Sequence, residues 1–279
     1  MRCRLRTPFA APHHTRPTQE GHYVTDDVSK DREQSAGWDR LRRSCGYCAM
    51  HDVCLPASLD SEDLKRVDAI VRDKFPLDRG DVLFHQGHSF TALYVVRSGS
   101  LKTYVDGPDG DTQILGFHLP GEIMGIGGLT GEHYPSSAEA LEHSSICELP
   151  YRQLQLISDT VPALQRQLVR IISRHVVAEQ EHTIMMGKQQ AQRRLAIFVR
   201  SLADRHERLS RDAQLLTLSM TRSDIANYLG LVIETVSRLF SRMEADGILE
   251  VNRKSVRILR RDLLNELCGD AANSCTGTG

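Results

Sequence analysis

TRSDIANYLGLVIETVSRLFSRMEADGILEV, residues 221–251, holds two short amphipathic segments parted by a glycine. Thr221 is placed to cap a helix over SDIANYL, where a hydroxyl satisfies amides that have no partner in the first turn. Gly230 breaks that helix, and VIETVSRLFSRMEADG predicts a second one, stopped by Gly247. Helix, short glycine-containing turn, helix is the helix-turn-helix pattern. Ala226 suits a close crossing. Ile225, Leu229, Val236 and Leu239 are expected to pack, leaving Glu234, Thr235, Ser237, Arg238 and Arg242 facing outward. ILEV, a turn at NRK, then SVRIL predicts a β-hairpin wing carrying Arg253, Lys254 and Arg257. An ordinary helical hairpin with a charged face is the competing reading; the basic wing weighs against it.

Charge separates this end of the chain from the rest. The 279 residues carry a net charge of −1, so overall charge predicts no partner. From Leu55 to Thr160 there are 8 Lys/Arg against 16 Asp/Glu, a balance of −8; from Lys188 to Arg261 there are 15 against 8, a balance of +7. Only the second half is suited to a polyanion. The length suits two domains. No apolar run approaches the roughly 18 residues of a membrane span, and no apolar signal core opens the chain, so a cytoplasmic protein without a membrane partner is expected.

Working towards the N-terminus, residues 188–267 are expected to form the helix-turn-helix half suited to a polyanion, followed by a short flexible tail, 268–279. Gly187 to Gln190 reads as a hinge, and AQRRLAIFVRSLADRH as an amphipathic helix. Residues 161–187 predict a long helix, with Pro162 acceptable in its first turn. One apolar seam runs Leu164, Leu168, Ile171. A second runs Val169, Ile172, Val176, Glu179, Thr183, Met186. Two seams suit a helix packed on its own domain and on a twin, so a homodimer is expected. Glu179 breaks the second seam: on a two-fold axis its carboxylate would meet its copy and oppose dimerisation; the plainer reading has it facing solvent.

Between residues 75 and 150 the hydrophobic period is two. DVLF, ALYVV, LKTYV, QILGF, EIMGI and SICEL are short strands, punctuated by Gly80, Gly87, Gly99, Gly110 and Gly121, which suit turns needing positive φ. An antiparallel sandwich or barrel follows. It is preceded by a short helix in SLDSEDLKRVDAIV, ended by Pro76, so this domain spans 58–160 and the fold class is α+β. Residues 1–40, rich in Pro, His, Arg and Thr, read as a disordered tail, with Trp38 the first residue expected to pack.

CGYCAMHDVC, within residues 41–57, places Cys45, Cys48 and Cys54 in one loop. Thiolates suit zinc, copper(I) or iron–sulfur clusters, and closed sites usually want four ligands. His51 lies in the loop and Cys147 on a distant strand; Cys3, Cys268 and Cys275 sit in polar or small-residue surroundings near the ends. Spacing alone does not separate zinc from iron–sulfur, and reduced thiols with no ligand role are the plainer alternative.

CGYCAMHDVC, GFHLPGE, SSAEALEHSSICELP, TRSDIANYLGL and IETVSRL, in this order, resemble the Crp–Fnr family of transcription regulators, and within it the FNR-type oxygen-sensing branch. The resemblance implies a cyclic-nucleotide-binding-like β-roll, a long dimerisation helix and a C-terminal winged helix-turn-helix. It implies a [4Fe–4S] cluster on Cys45, Cys48, Cys54 and Cys147. It implies palindromic TTGAT-like DNA sites read by Glu234, Ser237 and Arg238, with Thr235 and Thr221 nearby and Arg242, Arg253 and Lys254 on phosphates. The nucleotide-binding branch keeps an Arg-Ser pair for a cyclic phosphate; here Ser136-Ser137 stands in its place, so no cyclic nucleotide is expected. Gly121-Glu122 is retained and reads as a turn. Ile233 stands where the cyclic-AMP receptor has an arginine, and His182 and Thr183 where apolar residues are expected. In low oxygen the assembled cluster is expected to offset the Glu179 repulsion and allow dimers to bind DNA. The Asp106–Asp111 loop is a candidate contact with RNA polymerase as well as a plain turn. No flavin or nicotinamide fingerprint points to an enzyme. The alternative is the same fold with a zinc or redox-thiol site, or with a small molecule in the β-roll.

Overall fold

The computed structural model describes residues 45–269 except 74 and 75. The expectations for residues 1–40, Trp38, Cys3, Phe75, Cys275 and most of the C-terminal tail lie outside them.

The first helix, α1 (Ser61–Ile70), starts where Asp60 accepts hydrogen bonds from the amides of Glu62 and Asp63. It ends at Ile70, ahead of Pro76. Val71 turns extended there, and Arg72–Asp73 (β1) joins a sheet instead. Seven further strands follow: β2 (Val82–Phe84), β3 (Ala92–Ser98), β4 (Leu101–Asp106), β5 (Thr112–His118), β6 (Ile123–Met124), β7 (Ser137–Ala140) and β8 (Ser145–Pro150). They form two antiparallel sheets, β1-β8-β3-β6 and β2-β7-β4-β5. The five turn glycines have φ between +79° and +92°. At Gly99 the need is also steric, since a Cβ would lie 2.7 Å from the Ser144 Cα.

The period of two gives the first sheet two working faces. Tyr94, Val96 and Ile146 point into the roll with Phe84, Leu101, Met124 and Tyr134. Leu93, Val95, Cys147 and Leu149 point the other way, into a layer made by Leu55, Val67, Leu154 and Leu164. That layer includes α2 (Tyr151–Ser158), which the sequence reading did not foresee, and the long helix α3 (Pro162–Lys188). The second sheet shares its outer core, Ile114, Phe117 and Leu119, with the C-terminal half.

The C-terminal half comprises α4 (Ala191–Arg208), β9 (Leu215–Thr217), α5 (Arg222–Leu229), α6 (Ile233–Ala245), β10 (Leu249–Asn252), β11 (Ser255–Ile258) and α7 (Arg261–Cys268). Helices as short as α5 are not stable alone; tertiary burial holds them. Ile225, Leu229, Val236, Phe240 and Met243 are all buried in one core, each contributing about 1.5–3 kcal/mol relative to exposure. The wing is a three-stranded sheet, β10-β11-β9. Cys268 is buried at the end of α7, in contrast to the polar surroundings read from its sequence neighbours. Among the described residues no helix is long and apolar enough to cross a membrane.

Candidate metal centre and nucleic-acid interface

The cysteine loop is a run of hydrogen-bonded turns. The Cys48 amide donates to the Cys45 carbonyl (3.3 Å), and the Cys54 amide to that of Met50 (2.9 Å). Asp68 on α1 anchors its start, accepting from the Cys45 amide at 2.7 Å. Cys147 comes from β8, in register with Val95 on one side and Asp73 on the other. Because Cys147 shares its strand face with Leu149, it points out of the roll towards the loop. Cys45, Cys48, Cys54 and Cys147 line one cavity of about 30 Å³, walled by Met50, Leu55, Val67, Val71 and Val95.

The donor set is four soft sulfurs in an apolar setting. No disulfide joins the described cysteines, and among the described residues no group of three or more His, Cys, Asp or Glu is gathered as a metal-ion site. Burial, helped by the Asp68 carboxylate, pushes the Cys45 thiol above its ordinary range; burial pushes Cys54 up to about 12. These are protonated thiols at neutral pH, and metal binding has to release their protons. His51 lines the same cavity, and its buried Nδ1 has no hydrogen-bond partner among the described residues. The four thiols therefore fit a thiolate-held group by chemistry and by shared access to one cavity.

The nucleic-acid side is equally specific. Thr221 and Asp224 form a reciprocal capping box at the start of α5: Asp224 N–H donates to Thr221 Oγ1 (3.0 Å), Thr221 N–H to Asp224 Oδ2 (2.8 Å). The Thr221 hydroxyl is thus engaged in capping. Gly230 is left-handed (φ +60°), and a Cβ there would lie 2.6 Å from Met186 Cε. Arg222 lies over the Phe240 ring at 3.6 Å and ties α5 to α6, a role its place in the sequence did not reveal. Glu234, Ser237, Arg238 and Arg242 are exposed on α6, and Thr235 is half-buried. Arg253 and Lys254 are exposed at the wing tip; Arg257, further along, meets Glu250 at 3.5 Å.

Residues 74–160 match the cyclic nucleotide-binding domain family, and residues 193–267 the Crp-like helix-turn-helix domain family. The chain is 42% identical to the transcriptional activator protein Anr of Pseudomonas aeruginosa, over 84% of this chain and 94% of that one. It belongs to the Crp–Fnr family of transcription regulators. A second Crp–Fnr relative, the fumarate and nitrate reduction regulatory protein of Escherichia coli K12, is 37% identical over 82% of this chain and 92% of its own. The structure of FixK2 from Bradyrhizobium japonicum superposes with a TM-score of 0.66 at 27% identity, covering 73% of this chain and all of FixK2. The relatives are named as regulators, not as enzymes.

Contacts between roll and helix-turn-helix in this Crp–Fnr chain were not legible in the motifs. Gly121 does turn, but Glu122 does more than turn. Arg205 of α4 donates from Nε to Glu122 Oε1 at 2.7 Å and from Nη2 to Oε2 and the Phe117 carbonyl. That guanidinium, outweighing the cost of burial, holds the Glu122 carboxyl below its ordinary range. Asn227 of α5 docks on the edge of β5: the Ile114 amide donates to its Oδ1, and its Nδ2 donates to the Thr112 carbonyl, both at 2.6 Å. Lys102 reaches Asp224 at 3.3 Å, and Ser100 Oγ donates to Ser219 Oγ at 2.6 Å. Ser137, where the cyclic-phosphate motif would fall, is buried and accepts from the Gln86 amide at 2.9 Å.

On α3 the expected seam divides. Val169 (63% exposed) and Val176 (48%) are open, as are Glu179 and Thr183, while Ile172 is half-buried. Met186, read as the last seam residue, packs against the DNA-binding core beneath Gly230. His182 stacks on Tyr228 of α5, centroids 4.4 Å apart and rings 20° from parallel. Its side chain turns to its own chain, which accounts for a histidine at that place.

Proposed function

We propose that this Crp–Fnr chain is an FNR-type regulator of anaerobic gene expression, responding to oxygen through a [4Fe–4S] cluster held by Cys45, Cys48, Cys54 and Cys147. The observation that carries this is the common cavity of three loop thiols and one strand thiol. Relatives named transcriptional activator protein Anr and fumarate and nitrate reduction regulatory protein, at 42% and 37% identity over most of their length, support it. A bound cluster would supply four iron–thiolate bonds fastening the loop to the roll, and an oxygen-labile core whose loss frees them.

The protein's own residues do the rest. The open face of α3, with Val169, Ile172, Val176 and Thr183, forms the dimer seam, and Glu179 limits its strength. Arg238 offers a bidentate pair to guanine, Glu234 an acceptor to cytosine N4, and Ser237 a contact to a neighbouring base. Arg242, Arg253 and Lys254 meet phosphates and add affinity without sequence information. A two-fold dimer then reads TTGAT-like half-sites one helical turn apart. Glu122 taken by Arg205 and Ser137 taken by Gln86 support a roll that works without a cyclic nucleotide.

Anaerobic purification tests the centre. A brown protein with about four iron and four sulfide per chain, bleached by air, with iron lost in Cys147→Ser, is the expected result. A colourless protein with one zinc would overturn the oxygen-sensing reading and leave DNA binding intact.

A further inference from the structure

Gln167 is a buried polar residue on a helix face that otherwise packs into the core. It is 2% exposed, one turn from Leu164 at 0%. Its Nε2 donates to the carbonyl of Cys54 at 3.2 Å. Its Oε1 accepts from Arg170 Nη1 of its own helix at 3.1 Å, and from Ser58 Oγ, at the end of the turn that follows Cys54, at 3.4 Å. The Arg170 guanidinium on one side and the Cys54 carbonyl on the other fix which way the amide points: flipped, it would set oxygen against oxygen and NH₂ against the guanidinium. The Cys54 carbonyl also takes the Ala57 amide at 3.2 Å, so both its lone pairs are used.

The far end of the same helix is bound to the DNA-binding module. His182 stacks on Tyr228, and Arg194 donates to the Met186 carbonyl (2.8 Å) and the Leu229 carbonyl (3.0 Å). From Gln167 to His182 the helix spans roughly 22 Å. One rigid element thus touches the backbone of a candidate ligand at one end and the helix-turn-helix at the other. We infer that Gln167 is the positioning residue that couples the cysteine loop to α3, so that displacement of Cys54 is transmitted to the dimer seam and the DNA-binding helices. This rests on the proposed cluster for its signal, but the link itself is a property of the polypeptide. Leucine or methionine would fill the same space without joining the loop to the helix, which gives a buried glutamine its use here.

Gln167→Met keeps length and packing and removes the amide. Gln167→Glu keeps the acceptor for Arg170 and Ser58 and loses the donor to Cys54. Both are to be compared with wild type as full-length protein, anaerobically and after air exposure. Iron, sulfide and visible spectrum should match wild type in both variants. The ratio of dimer dissociation constants, air-exposed over anaerobic, should fall at least threefold by sedimentation. A second arm uses cluster-free protein: hydrogen exchange over 54–58 and 168–175 should rise together by about tenfold in both variants. A wild-type ratio or wild-type exchange in a variant that folds overturns the coupling. If wild type binds no cluster, the oxygen reading fails by itself, and the exchange arm still decides whether Gln167 links loop to helix.

Discussion

Arg238 shows what one side chain would carry at the proposed DNA interface. It is exposed, with Nε near its own helix backbone at the Glu234 carbonyl (3.3 Å), and its fork is the group suited to guanine. Arg238→Lys keeps the charge and loses the bidentate geometry, so discrimination at the guanine should fall by about 1–3 kcal/mol; competition binding with guanine-substituted half-sites measures it. His118 is the second informative residue. It sits by Thr103 Oγ1 (3.0 Å), and burial, with Arg205 and His175 adding to it and Glu122 opposing, lowers its pKa to about 4. The unfolded chain holds the extra proton between its ordinary value near 6.5 and about 4. Stability is therefore full above that window and falls as pH drops through it, by on the order of 3 kcal/mol at most. Urea unfolding at pH 7 and pH 5 should show this, and His118→Asn should flatten it. Glu122, whose pKa is lowered, should hold its contribution down to the ordinary carboxylate value near 4.5 and lose it progressively as pH falls further.

Among the elements, α3 has two occupations that its periodicity only partly separates. Leu164 and Gln167 face the loop, and Val169 and Val176 lie exposed on the face proposed to meet a second copy. Glu179 lies on the open side, 3.9 Å from His175 at one turn's distance. Removing a repulsion between two such carboxylates is worth about 1 kcal/mol in a solvated setting, or roughly a fivefold drop in the dimer dissociation constant. Glu179→Ala should therefore dimerise more strongly in air, measured by sedimentation equilibrium; an unchanged dissociation constant would place Glu179 off the axis.

For the whole molecule, the joint between roll and helix-turn-helix is built from one apolar core and a few well-defined polar pairs. Asn227 supplies two 2.6 Å hydrogen bonds to the β5 backbone. Asn227→Ala leaves the Ile114 amide and the Thr112 carbonyl without these partners, a cost of about 1–3 kcal/mol. The expected result is lower thermal stability and faster hydrogen exchange in α5, with base preference unchanged because α6 keeps its outward residues. A shift in base preference would mean that the joint also orients α6.

Local rules were enough for much of this protein. Turn glycines, the Thr221 cap, the two-residue period of the roll and the helix-turn-helix were legible because each depends on neighbours a few positions apart. The convergence of Cys147 with a loop more than ninety residues earlier followed only from a family resemblance, since its cause is strand pairing: β8 lies between β1 and β3, and its outward face meets the loop. The contacts of Gln167, Arg205 and Asn227 were not legible at all. A glutamine on a helix, an arginine in a basic stretch and an asparagine in a turn-flanking helix look like solvated residues in sequence. Only tertiary structure gave them partners, because a buried amide or ion pair is defined by groups brought together from distant parts of the chain.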